Sequence, residues 1–208
     1  MDRLASFVIF FPVFLFSLSF HEYSHGWVAN RLGDPTAKFL GRLTMNPLKH
    51  IDWIGTFLFP LMMFLMPGLL LFGWAKPVPI DPRNIRGGRR GTLFVALAGP
   101  AANLVLALLI SALLHLFVQP APSNTVAILH DMLETGVYLN LMLAAFNLIP
   151  LHPLDGGKVM EGLLPAKYLI PFDRIGRYGF LILFLLLYSG LLRYLMAPVL
   201  YLARLLLP

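Results

Sequence analysis

Apolar positions in this chain come in long blocks, with little alternation. Three blocks, about Leu4–Asn30, Thr92–Val118 and Val126–Leu148, each reach the roughly 20 residues that cross a hydrocarbon core as a helix. A fourth, Ile54–Phe72, is interrupted by Pro60 and by Pro67-Gly68. Two more, Tyr178–Leu192 and Tyr194–Leu207, close the chain, the last containing Pro198. The pattern predicts an all-α polytopic membrane protein, one unit over residues 1–208, with five or six transmembrane helices and a re-entrant segment at 54–72. Between the first two blocks, Gly33-Asp34-Pro35 breaks the helix. Thr36, Lys38, Leu40, Arg42 and Thr44 then alternate around Gly41, which predicts a short strand-like hairpin. Residues 73–91 are rich in Pro, Gly and Arg and are expected at the lipid headgroups.

Composition agrees with the blocks. The chain is 58% hydrophobic and 12% charged, against about 45–50% and about 25% for soluble domains. The net charge of +6 is read as basic loops facing anionic lipid, with no nucleic-acid partner. Cysteine is absent, which excludes disulfides and thiolate chemistry. Asp2 offsets Arg3 and no small-x-small site follows, so no signal-peptide cleavage is expected.

The first block ends in "SFHEYSHGWVAN". On a helix, His21 and His25 share one face and can hold one ion. Glu22 lies about 100° around, placed to take a proton from a bound water without being a ligand. Ionisable groups inside an apolar helix are costly and functional by default. A zinc site then lacks one protein ligand. Most other acids stand in termini or loops with basic neighbours. Asp155 remains, in "NLIPLHPLDGGK", where Pro150 and Pro153 stop the helix and Gly156-Gly157 allow a close turn. Asp155 reads either as the third ligand or as the N-cap of the following helix.

Both ligand groups stand near the C-terminal ends of their helices. They can share an ion only if those ends lie on one side, so block 54–72 should not cross. Under that topology one face carries nine Lys/Arg in residues 31–90 and four in 151–177, and the other carries Arg3 alone. The excess places the ion on the cytosolic side, roughly 10–15 Å below the surface at about 1.5 Å per residue from Arg31.

Together these motifs resemble the site-2 protease family of intramembrane zinc metalloproteases. The resemblance rests on His21-Glu22-x-x-His25, on "AGPAANL" (98–104) and on "NLIPLHPLDGG" (147–157). "GRLTMNPLKHID" and "FGWAKPVP" make the short form without a PDZ domain the nearest likeness. The family implies that His21, His25 and Asp155 bind one Zn2+ per chain and that Glu22 is the general base. It implies that Asn147 steadies the substrate or the tetrahedral intermediate, and that Asn103 is a further polar contact. Both amides could instead serve interhelical hydrogen bonds.

The expected activity is peptide-bond hydrolysis in or near the transmembrane segment of a single-span substrate. The expected setting is a multi-pass protein of the bacterial inner membrane, acting in regulated intramembrane proteolysis. The stretch Thr36–Thr44 is expected to bind an extended substrate by edge addition. The rival reading is a metal or ion transporter, which uses the same ligands but gives Glu22 no role. His115 reads as packed. His50, His130 and His152 read as interfacial, with His152 close enough to Asp155 to support it from behind. Trp27, Trp53 and Trp74 suit an interface belt.

Overall fold

The structure, a computed structural model, describes residues 3–66, 73–117 and 124–208. Helix α1 (Arg3–Arg31) carries the first apolar block. It stops at Gly33, whose φ of 107° is open to glycine and lets the Asp34 N–H reach back to Ala29 O at 2.9 Å, closing the helix end. The Asp34 side chain is 1% exposed. It accepts from Thr36 N–H at 3.1 Å, the Thr36 hydroxyl at 2.5 Å, Asp81 N–H at 2.7 Å and Asn84 Nδ2 at 3.3 Å. Burial opposes ionisation, but these donors hold the Asp34 carboxyl below its ordinary pKa.

The hairpin expected at 36–44 does not form. Thr36–Phe39 is a single helical turn, α2, and among the described residues there is no strand. The physical reason is local. Asp34 bonds the backbone and hydroxyl of Thr36 and starts a turn, and Ala37 O then accepts from Arg42 N–H at 2.8 Å and Leu43 N–H at 3.1 Å. A capped turn uses donors that a ladder would need.

The second apolar block makes an excursion that comes back. Asp52 caps residues 54 and 55, a π turn leads into α3 (Phe59–Leu65), and the expected Pro67-Gly68 turn lies outside the described residues. The chain then lies beside its own start. Trp74 N–H donates to Gly55 O at 3.2 Å, the Thr56 hydroxyl to Trp74 O at 2.7 Å, and Lys76 N–H to His50 O at 2.9 Å. Phe57 and Phe64 pack edge-on against Phe7 of α1, with ring centroids 6.4 and 5.5 Å apart. Residues 50–56 and 74–76 therefore lie side by side, and residues 74–81 form an extended strap beside α1.

Helix α4 (Gly88–Phe117) and helix α5 (Asn124–Asn147) run against α1. Then come α6 (Asp155–Leu163), α7 (Leu169–Gly176), α8 (Gly179–Tyr188) and α9 (Leu191–Leu206). Ala107, Leu114, Val137, Leu141 and Ala203 join α4, α5 and α9 in one buried cluster. Among the described residues two helices are long and apolar enough to span, Ser6–Arg31 and Gly88–Leu116. The pair α8–α9, bent by 77°, makes a third if it counts as one span. The expected five or six are not reached on these criteria. Asp131 and Glu134 lower the apolarity of α5, and Gly190, at φ 75°, separates α8 from α9.

Candidate metal centre

Helical spacing puts His21 and His25 one turn apart on α1, facing α4 and the start of α6. Asp155 is the first residue of α6, one position past its cap Leu154, where the helix dipole favours a carboxylate. The turn that delivers it is buried by Leu151 and Leu154 against Leu183 of α8. All three residues are buried. His21 Nε2 and His25 Nε2 each lie 3.1 Å from Asp155 Oδ2 and 3.0 Å from one another.

The opposite ring nitrogens decide what this triangle can do. His25 Nδ1 is 2.7 Å from Val95 O, which can only accept, so the proton sits on Nδ1. His21 Nδ1 is 2.5 Å from Asn103 Oδ1. The orientation of Asn103 is set in turn, because its Nδ2 donates to Ser17 O at 3.3 Å and to Asn140 Oδ1 at 2.7 Å. Asn140 Nδ2 donates to Gly136 O at 2.8 Å and to the Ser17 hydroxyl at 2.9 Å. Main-chain carbonyls thus anchor both amides, and the amides fix the tautomer of His21. With both imidazoles neutral, their Nε2 lone pairs and the carboxylate oxygen converge on one point, an arrangement suited to a metal cation. Tetrahedral Zn2+ with bonds of about 2.0–2.1 Å spaces its ligand atoms about 3.3 Å apart, a few tenths more than observed here.

Gly99 of α4 leaves room for the rings. A Cβ there would overlap His25 Nε2 and come within 2.6 Å of His21 Nε2. The sequence suggests only helix packing for this glycine; the structure places it directly against the ligands.

The triangle opens on a cleft of about 340 Å3 whose walls include Glu22, Val78, Asn147, Pro153 and Lys158. Glu22 Oε2 accepts from the Val78 N–H of the strap at 2.8 Å. Asn147 lines the same cleft, with one amide hydrogen returned to Leu143 O at 2.9 Å and the other available.

Several expected residues stand elsewhere. Asn103 is fully buried behind His21, so it positions the ligand and has no access to a substrate. Thr36, Lys38, Leu40, Arg42 and Thr44 do not line the cleft. Leu40 is 63% exposed, Thr36 serves Asp34, and Thr44 accepts from Asn46 N–H at 3.1 Å. Arg42 reaches the strap, donating to Lys76 O at 3.0 Å and Pro77 O at 3.2 Å. Ser17, Asn140 and Val78 go unnoticed in the sequence. Asn140 carried a signal, a polar amide within an apolar helix, whereas Val78 acts through its main chain and carried none.

Comparisons with known proteins agree with this chemistry. Residues 118–189 match the model of peptidase family M50, a range that holds Asn147 and Asp155. "Putative zinc metalloprotease YwhC" of Bacillus subtilis is 36% identical over 88% of this chain and 82% of its own length. "Putative zinc metalloprotease Rip2" of Mycolicibacterium smegmatis is 30% identical over 90% of this chain and 69% of its own. "Zinc metalloprotease MJ0392" of Methanocaldococcus jannaschii is 25% identical over 81% of this chain and 38% of its own. No solved structure matches the chain. With a buried His-His-Asp set and relatives of this kind along most of its length, the chain belongs to peptidase family M50, the site-2 protease family of zinc metalloproteases.

Proposed function

We propose that this membrane zinc metalloprotease cuts single-span membrane proteins in or near their transmembrane segments, on the cytosolic side of the bacterial inner membrane, as a step in regulated intramembrane proteolysis. One observation carries the reading. Three buried ligand atoms and Glu22 open on a single cleft about ten residues inside the end of a membrane-length helix, roughly 15 Å from Arg31 at about 1.5 Å per residue.

When bound, zinc polarises the scissile carbonyl and lowers the pKa of its water toward about 7. The residues of the chain do the rest. Val78 N–H holds one oxygen of Glu22 and leaves the other to take the proton of the attacking water. Glu22 then passes that proton to the amine nitrogen as the C–N bond breaks. The free N–H of Asn147 is available to the oxyanion that develops on the carbonyl. Val95 O and Asn103 keep the imidazoles in their tautomers throughout. A transporter would use the same ligands but leave Glu22 and its Val78 tether without a purpose.

The test is a panel of single-span substrates incubated with the purified chain in lipid. Glu22→Gln should keep its zinc and cleave about 10²–10⁴ times more slowly. Cleavage within a few-fold of the parent would end the reading.

A further inference from the structure

We propose a second metal site, formed by His152, Glu161 and Asp173, that takes a divalent cation of the zinc class and clamps α6 and α7 to the turn bearing Asp155. These residues come from three elements: the turn after α5, α6 and α7. Their ligand atoms lie within 4.8 Å of one another. His152 Nε2 is 2.9 Å from Glu161 Oε1, yet not in hydrogen-bond geometry, and it is a buried nitrogen with no hydrogen-bond partner. Among the described residues neither carboxylate has a Lys or Arg within ion-pair distance, in a chain with 16 Lys/Arg and 10 Asp/Glu. An imidazole nitrogen and two carboxylates are a donor set that a divalent ion can take, and the one guanidinium bonded to this group, Arg89, is spent on the main-chain oxygen of Glu161 at 3.0 Å and not on a carboxylate. Three such N and O donors with an open position make a common zinc ligand set.

The imidazole is also held in place. A Cβ at Gly157 would come within 2.8 Å of His152 Nδ1, and one at Gly176 within 2.7 Å of Cδ2. Phe172 packs against the ring at a centroid distance of 5.5 Å. The side chain of His152 is 24% exposed, that of Glu161 is 36% exposed, and Asp173 is exposed, so an ion can reach the carboxylates from water and meet the buried imidazole nitrogen beside them. His152 stands three residues before Asp155, and Glu161 also lines the cleft. An ion here would stiffen the turn that presents the metal-binding carboxylate of Asp155.

The experiment counts zinc per chain by mass spectrometry after the full chain, in detergent, is dialysed against buffered micromolar free Zn2+. The parent should hold two ions. Asp173→Asn, a conservative change at an exposed position, should hold one, and so should His21→Ala, while the double variant should hold none. A parent with a single ion overturns the proposal. So does a parent with two ions if Asp173→Asn and Glu161→Gln both keep two. His152→Ala repeats the test, and circular dichroism checks that each variant is folded. Because His21→Ala reports on the other site alone, failure of the proteolytic reading and failure of this one are separable.

Discussion

Two clusters of metal-ligating residues lie within a few residues of each other in this chain, yet they are built differently. In the His21-His25-Asp155 cluster, both ring nitrogens facing away from the ligand triangle are hydrogen-bonded to groups on α4, and one of those groups is held by α5 and α1. In the His152-Glu161-Asp173 cluster the imidazole is held by close packing, and its carboxylates stand partly in water. The first has its donors buried at the base of a cleft and fixes the imidazole tautomers through hydrogen bonds that end on main-chain carbonyls. The second leaves a buried nitrogen unpaired. A site meant to hold its ion through turnover needs the first kind of support.

The sharpest way to break this contrast is Gly99→Ala. The added methyl occupies the space of His25 Nε2 and His21 Nε2. Zinc at the first cluster should fall to near zero and cleavage should vanish, as read by metal analysis and substrate assay; a variant with full zinc would mean the ligands are not held where the structure puts them. Asn103→Leu removes the acceptor behind His21 and should weaken zinc about 10–100-fold, measured by competition with a chromogenic chelator. Unchanged affinity would show that the partner behind the ring is irrelevant, and the distinction between the clusters would fail. Chelation then separates folding from binding. Removing zinc from the parent should lower Tm, the loss growing with the logarithm of the free metal level and reaching about 2.7 kcal/mol of stability at 100 times Kd, while His21→Ala should show no such drop from the first cluster.

The smallest effect concerns Asp34, which ties the end of α1 to the strap holding Glu22. Asp34→Ala should cost about 1–3 kcal/mol by leaving donors unpaired, and calorimetry would read it. Its carboxyl is depressed below the ordinary value. Its contribution is therefore full above the unfolded-state pKa and is lost as pH falls through the folded one. An acid limb in stability that Asp34→Asn flattens is the expected signature; identical limbs would remove Asp34 from the account.

Much of this was legible in the residues themselves. The His-Glu-x-x-His spacing and the proline-bounded turn before Asp155 follow from helical periodicity and from backbone rules for Pro and Gly. The strand at 36–44 was a misreading of alternation. A single carboxylate, Asp34, competes successfully for the donors a ladder requires.

What the sequence by itself determined is the identity of the chemistry: which side chains can bind a cation, which carboxylate can take a proton, and which blocks belong in lipid. These are properties of residue type and of short spacing. Only the tertiary structure decided which lone pairs meet. Asn103 and Asn140 lie 37 residues apart, Gly99 faces residues some eighty positions earlier, and Val78 acts through an N–H that every residue except proline has. Hydrogen-bond direction and steric room are set by groups distant along the chain, so no local pattern in the residues encodes them.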